Sequence, residues 1–288
     1  MEVVGDAWSW LILREAVFHR VRRFGEFQAR LGISRATLSA RLGQLGRGGV
    51  LVRESSTGQD YQLTDRGEDL FGCLMAALRW GDRWRPLPEP TLSVTHLACG
   101  NRIAAELRCR ACGQVITARD VRAERGDARP PAAIGGDVRR RTPDFELLER
   151  NQPSSIAYTL TMTGDWWSGL IVREAFFGVR RFDDLQHSLG VGPNILSARL
   201  RRLVGHGFLR RAEYQSWPVR HEYLLTEKGR DFYPLPLAMA TWGRRWLPPA
   251  DGEPRLTHSC GHDVQAMLCC EACGREITRG DVTTRHDH

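Results

Sequence analysis

Apolar positions along the chain follow helical spacing for long stretches and alternate only briefly. In the clearest stretch Leu196, Leu200 and Leu203 fall at i, i+4 and i+7, so they share one helical face, while Asn194, Ala198, Arg201 and Arg202 lie opposite. The preceding Leu189-Gly-Val-Gly-Pro193 breaks one helix and sets Pro193 in the first turn of the next, and Gly207 ends it. Phe208-Leu-Arg-Arg211 and His221-Glu-Tyr-Leu-Leu225 then read as two strands around a polar turn. Helix, turn, basic helix and hairpin predict a winged helix-turn-helix, whose second helix enters the DNA major groove.

The pattern occurs twice. Trp167-Ser-Gly-Leu-Ile-Val-Arg-Glu174, Arg180-Arg-Phe182 and Leu196-Ser-Ala-Arg-Leu200 are matched by Trp8-Ser-Trp-Leu-Ile-Leu-Arg-Glu15, Arg22-Arg-Phe24 and Leu38-Ser-Ala-Arg-Leu42. A duplication of this length fixes two structural units. The predicted fold is mainly α with small β-wings, an α+β chain of two winged units, each followed by a small Cys/His module. The boundaries read 1–90 (unit 1), 91–121 (module 1), 122–150 (a charged Pro/Gly linker), 151–252 (unit 2) and 253–283 (module 2).

The halves differ where DNA would be read. Ser155-Ile-Ala-Tyr-Thr-Leu-Thr-Met162 predicts a first helix in unit 2, whereas unit 1 has only Met1-Glu-Val-Val4 there, so that helix is lost or the true start lies upstream. The first wing, 54–60, is shorter and lacks the Pro-x-Arg of 214–221. Thr64 is a predicted N-cap for one helix running through Leu70, Phe71, Leu74 and Leu78, with Cys73 as a buried apolar residue. Trp80 and Trp84, like Trp242 and Trp246, sit four apart on one helical face, as core, as a subunit interface or as walls of a ligand pocket.

The modules carry chemistry of their own. His96-x2-Cys99-Gly100 is followed by Cys109-x2-Cys112-Gly113, and His258-x-Cys260-Gly261 by Cys270-x2-Cys273-Gly274. A Cys-x-x-Cys-Gly knuckle supplies two soft ligands from one tight turn, so each module is expected to bind zinc, about two ions per chain. One quartet is then His96, Cys99, Cys109 and Cys112; the other is His258, Cys260, Cys270 and Cys273, with Cys269 and His262 as competing ligands. A redox-active dithiol and plain packing cysteines are the other readings. A closed four-ligand site has no open position for water and argues against hydrolysis.

Composition bounds the rest. Hydrophobic residues make up 42% of the chain, enough for two ordinary cores. The formal charge of +7 permits an anionic partner, and of 41 basic residues only Lys228 is lysine. No secretory signal and no apolar run of membrane-spanning length is visible, which predicts a cytoplasmic protein with no membrane partner. Asp165 and Glu174 are expected as caps or ion pairs, and no motif for a nucleophile or phosphate loop is present, so an enzyme is not expected. In the linker, Arg139-Arg140-Arg141 is either solvated charge or a minor-groove arm.

Six pieces in order, Trp167-Ser-Gly-Leu-Ile-Val-Arg-Glu, Arg180-Arg-Phe-Asp-Asp-Leu, Leu196-Ser-Ala-Arg-Leu, Trp217-Pro-Val-Arg-His-Glu-Tyr223, Leu225-Thr-Glu-Lys-Gly229 and Trp242-Gly-Arg-Arg-Trp246, resemble the HxlR family of bacterial transcriptional regulators. The resemblance implies MarR-like winged helices that act as dimers of single units, so a tandem chain could form a pseudo-dimer alone or a homodimer of chains. Redox and aldehyde sensors of that family carry a cysteine near the start of the first helix; here Pro153-Ser-Ser155 stands there, so that mechanism does not transfer.

The leading expectation is a transcriptional regulator of double-stranded DNA. Its DNA contacts are assigned to Asn194, Ser197, Arg201, Arg202, Arg220 and His221, with Arg35 and Gln44 in unit 1. Unit 2 is expected to do most of the reading, because unit 1 turns Ala36, Ala40, Gly43 and Gln44 outward. Arg41 and Arg199 project beside the leucine face as intramolecular partners. The alternative is a protein that binds a small molecule or effector between the repeats, walled by Trp80, Trp84, Trp242 and Trp246, with weak or lost DNA binding.

Overall fold

A computed structural model describes residues 4–54, 60–85, 92–124, 126, 154–163, 166–249 and 252–285. Unit 1 runs α1 (Ala7–Phe18), α2 (Phe24–Leu31), α3 (Arg35–Arg47), β1 (Leu51–Arg53), β2 (Tyr61–Leu63), α4 (Asp65–Glu68) and α5 (Phe71–Trp84). Module 1 holds β3 (Ser93–His96), β4 (Ala105–Cys109) and β5 (Val121–Glu124). Unit 2 runs α6 (Ser155–Thr163), α7 (Trp166–Phe176), α8 (Phe182–Leu189), α9 (Pro193–Gly205), β6 (Leu209–Ser216), β7 (Val219–Leu225), α10 (Glu227–Asp231) and α11 (Pro234–Trp246). Module 2 holds β8 (Arg255–His258), β9 (Ala266–Cys270) and β10 (Val282–Arg285).

Both helix-turn-helix elements form for the same local reasons. α2 and α8 end at Gly32 and Gly190, each left-handed at φ 60°, which lets the chain turn sharply into α3 and α9. α3 buries Leu38, Leu42 and Leu45; α9 buries Leu196, Leu200 and Leu203. After each wing a threonine caps a short helix: Thr64 accepts from the Gly67 N–H at 3.2 Å, and Thr226 from that of Gly229 at 3.1 Å. The glycines are required by close approach, since a Cβ would stand 2.2 Å from the Val50 carbonyl oxygen at Gly67 and 2.3 Å from that of Phe208 at Gly229. The helix expected to run unbroken from Thr64 divides into α4 and α5, and Cys73 is buried in α5 as expected.

Each unit grips the other through its terminal tryptophan pair. Trp80 Nε1 donates to the Lys228 carbonyl at 3.0 Å, and Trp242 Nε1 to that of Arg66 at 2.9 Å. Trp84 Nε1 donates to Asp231 and Trp246 Nε1 to Asp69, both at 2.7 Å. Arg83 pairs with Asp231 at 3.0 Å, and Arg245 with Asp69 at 3.3 Å. The reciprocity is that of a two-fold symmetric dimer, here made within one chain. Trp80 and Trp242 are buried, Trp80 stacking on Tyr158 and meeting Phe232 edge-on. The four indoles named above as possible pocket walls lie at this interface, Trp80 and Trp242 buried and Trp84 and Trp246 half-buried, and the N–H group of each has a partner across it.

The symmetry is broken by α6, which packs on α5. Thr159 Oγ1 donates to the Ala77 carbonyl at 2.7 Å and Ser155 Oγ to Asp82 at 2.5 Å. Gly81 makes this approach possible, since a Cβ there would lie 2.0 Å from the Ser155 carbonyl oxygen. Lys228 joins the same contact, its ammonium donating to the Tyr158 hydroxyl at 2.9 Å and lying 5.5 Å from the Trp80 ring centroid.

The modules are interwoven. β3 pairs with β10, β4 with β9 and β5 with β8, all antiparallel, with Leu107 opposite Leu268 at the centre. Because β5 extends to Glu124 and β10 to Arg285, the modules run past the boundaries read at 121 and 283. Arg139-Arg140-Arg141, wing residues 55–59 and Asp165 lie outside the described residues.

Candidate metal centres and nucleic-acid interface

The strand pairing decides which knuckles meet. Because β4 lies against β9, and β3 and β8 pair outward with β10 and β5, each histidine knuckle faces the dithiol knuckle of the other repeat. His96 and Cys99 join Cys270 and Cys273, while Cys109 and Cys112 join His258 and Cys260. The eight expected ligands all take part, but the two self-contained quartets read from the spacing are corrected to two exchanged ones.

In each cluster the ligand atoms lie within 4.8 Å of one another. Cys99 Sγ is 3.9 Å from Cys270 Sγ and 3.3 Å from His96 Nδ1, and Cys273 Sγ is 3.4 Å from the same nitrogen. The second cluster repeats this, with Cys109 Sγ 3.9 Å from Cys260 Sγ, and His258 Nδ1 3.2 Å from Cys260 Sγ and 3.6 Å from Cys112 Sγ. A tetrahedral ion with metal–sulfur bonds of about 2.3 Å needs sulfur–sulfur edges of about 3.8 Å, so the donor sets fit such an ion. Their acidity fits as well. The backbone N–H of Asn101 leads the effects that hold the Cys99 thiol down to about 6, whereas burial, then Cys273 and Cys99, push the Cys270 thiol up. One thiolate forms readily and resists a second beside it, a conflict that a divalent cation relieves. Cys269 stands outside both clusters and is buried; His262 Nδ1 is 3.7 Å from Cys260 Sγ but belongs to neither quartet.

On the face of α9 opposite its leucines, Asn194 and Arg201 are exposed, while Ser197, Ala198 and Arg202 are half-buried. Arg202 donates through Nη2 to the Thr161 carbonyl, which directs it back into its own unit. On the wing Arg220 is exposed, and His221 Nδ1 lies 2.9 Å from Arg211 Nη2. In unit 1 Arg35 is exposed, whereas Gln44 accepts from Arg41 Nη1 at 3.0 Å and Arg41 also pairs with Asp6 at 3.1 Å. Two features escaped the sequence reading. Trp217, at the tip of the second wing, is 88% exposed. Arg23 and Arg53 flank a cleft beside Arg35. Their signal was present only as ordinary residues of a predicted wing and turn.

Inside each unit a buried glutamate is held by arginine. Glu15 is fully buried between Arg14, at 2.5 Å, and Arg30. Burial raises its pKa, but Arg14, His19 and Arg30 together outweigh this and hold it below the usual carboxylate value. Glu174, the counterpart, accepts from Arg173 at 2.8 Å and Ser188 at 2.6 Å, an ion pair as expected.

A model of the HxlR-like helix-turn-helix family matches residues 3–88 and 162–251. The HTH-type transcriptional regulator Rv3095 of Mycobacterium tuberculosis H37Rv is 44% identical over 140 residues, which cover 48% of this chain and 89% of the relative. The HTH-type transcriptional regulator sll1512 of Synechocystis is 39% identical over 93 residues, 32% of this chain and 69% of the relative. Among solved structures, the reduced form of the transcriptional regulator YodB from B. subtilis is 26% identical and covers 33% of this chain and 95% of that one, with a TM-score of 0.30. The two segments matched by the family model take in more than half of the chain and coincide with the two winged units; the chain belongs to the HxlR-like helix-turn-helix family.

Proposed function

We propose that the chain is a cytoplasmic, DNA-binding transcriptional regulator in which one polypeptide supplies both halves of a dimer, two structural zinc ions clasp the halves, and unit 2 reads the bases. The observation that carries the reading of unit 2 is the exposed pair Asn194 and Arg201 on α9, opposite a buried leucine seam and beside a wing that exposes Arg210, Arg211 and Arg220. Asparagine pairs with adenine and arginine with guanine through two hydrogen bonds each, while wing arginines supply phosphate contacts. The names of the relatives support the regulator reading. Bound zinc would supply structural cross-links; the four protein ligands of each site hold it, leaving the ion no catalytic part. The Trp-walled effector pocket has no observation in its favour.

The test is selection of bound sequences from random duplex DNA, followed by affinity measurements on the selected site. Arg201→Ala or Asn194→Ala is expected to weaken specific binding by about 1–3 kcal/mol, and Gln44→Ala by much less. Affinity should fall steeply with salt. Duplex binding indifferent to salt, or equal losses from α3 and α9, would contradict the reading.

A further inference from the structure

The two Cys/His clusters differ in the residue that follows the histidine knuckle. In the first cluster Asn101 stands after Cys99-Gly100, its carbonyl accepting from the His96 N–H at 3.0 Å and both its backbone and side-chain N–H groups donating to the Cys99 sulfur. In the second, His262 takes the same place after Cys260-Gly261, its carbonyl accepting from the His258 N–H at 2.9 Å. The backbones correspond, so the two side chains do comparable work by different chemistry. An amide N–H supports a thiolate but has no lone pair for a metal; a neutral imidazole has one.

His262 is exposed, and its Nδ1 lies 3.7 Å from Cys260 Sγ. A nitrogen and a sulfur bound to one tetrahedral ion stand about 3.6 Å apart, so His262 already keeps a ligand's distance from that thiol while remaining outside the quartet. The histidine inside the quartet is less firmly held than a metal ligand usually is. His258 is 3% exposed, and its Nε2 is buried with no hydrogen-bond partner among the described residues. A ligating imidazole is ordinarily oriented, and made more basic, by an acceptor at its other nitrogen.

We propose that His262 is an exchange ligand of the second cluster, which makes that cluster the labile one of the two zinc sites. His262 Nδ1 takes the place of His258 Nδ1, so one nitrogen–metal bond forms as another breaks, with both imidazoles neutral and no proton or electron moved. A buried ligand is thereby replaced by an exposed one, and a competing ligand from solution gains access. At the first cluster Asn101 closes that route, since it supplies only N–H groups to Cys99. The inference rests on the zinc reading above and divides the two clasps into one that exchanges its ion and one that keeps it.

The test follows zinc leaving the zinc-loaded full chain after a colour-forming chelator is added in excess. The native chain should release its zinc in two phases of equal size, and Cys112→Ser, which removes a ligand of the second cluster alone, should lose the fast one. His262→Asn, which imports the residue of the first cluster, and His262→Ala should both slow the fast phase until it merges with the slow one, at unchanged zinc content. A fast phase of native rate in both variants, or a single phase in the native chain, would overturn the proposal. Slowing in His262→Asn alone would credit the added amide and overturn it too. Loss of zinc from either His262 variant as prepared would make His262 a resident ligand, with the same consequence. A native chain that takes up no zinc would instead remove the zinc reading, and the exchange role with it.

Discussion

Cys99 and Cys270 stand 171 positions apart in the chain, yet their sulfurs lie 3.9 Å apart in one cluster. The pair belongs to different repeats, so the cluster exists only when the two halves are docked. The tryptophan contacts repeat that logic elsewhere in the molecule. Together they join the two units into a single body.

Cutting the chain between the repeats tests the interlock. With a protease site placed within residues 130–142, the two halves should remain together through gel filtration after cleavage. A strong chelator should weaken the association without abolishing it, because the reciprocal tryptophan contacts remain. Halves that separate on cleavage with metal present would count against the interlock.

Trp80→Ala and Trp242→Ala should each destabilise the protein by about 3–5 kcal/mol, since each removes a buried indole and leaves a backbone carbonyl of the opposite unit unpaired. Trp84→Phe, which removes the N–H that reaches Asp231, should cost about 1 kcal/mol. Chemical denaturation measures both. Equal, small losses at all three positions would show that the indoles are not the interface anchors.

Acid should loosen the first unit through Glu15. The folded pKa of Glu15 is depressed, so its ion-pair stabilisation is fully present above the unfolded carboxylate value and is lost as pH falls through the folded one. Glu15→Gln should flatten the acid limb of the stability curve below the unfolded carboxylate value, and should cost about 3–5 kcal/mol at neutral pH by removing the buried anion that Arg14 and Arg30 pair with. A variant that keeps the native acid limb would place the titration elsewhere.

The helices were legible because their signals are local. The leucine seam of α9, the glycines after α2 and α8 and the threonine caps each act within a few residues. The eight residues of the two Cys/His clusters were legible for the same reason, as each knuckle is one turn. The grouping of ligands was not. Each repeat carries a complete set of four, so spacing alone favours closure within a repeat, and only the long-range pairing of β4 with β9 decides otherwise. Arg202 and Gln44 show a smaller version of this limit. A helical projection puts both outward, but Thr161 and Arg41 capture them, and a projection contains no neighbours.

The most direct measurement is zinc retained against a competing chelator by two double variants. Cys99→Ser with Cys273→Ser places both lesions in one exchanged cluster, so one zinc ion per chain should stay bound with native affinity and the other should be lost. Cys99→Ser with Cys112→Ser damages one ligand in each cluster, so both ions should be released at chelator concentrations the native protein withstands. The reverse outcome, with one ion firmly held when Cys99 and Cys112 are replaced and both weakened when Cys99 and Cys273 are replaced, would mean that each repeat closes its own site and that the halves are not clasped by metal.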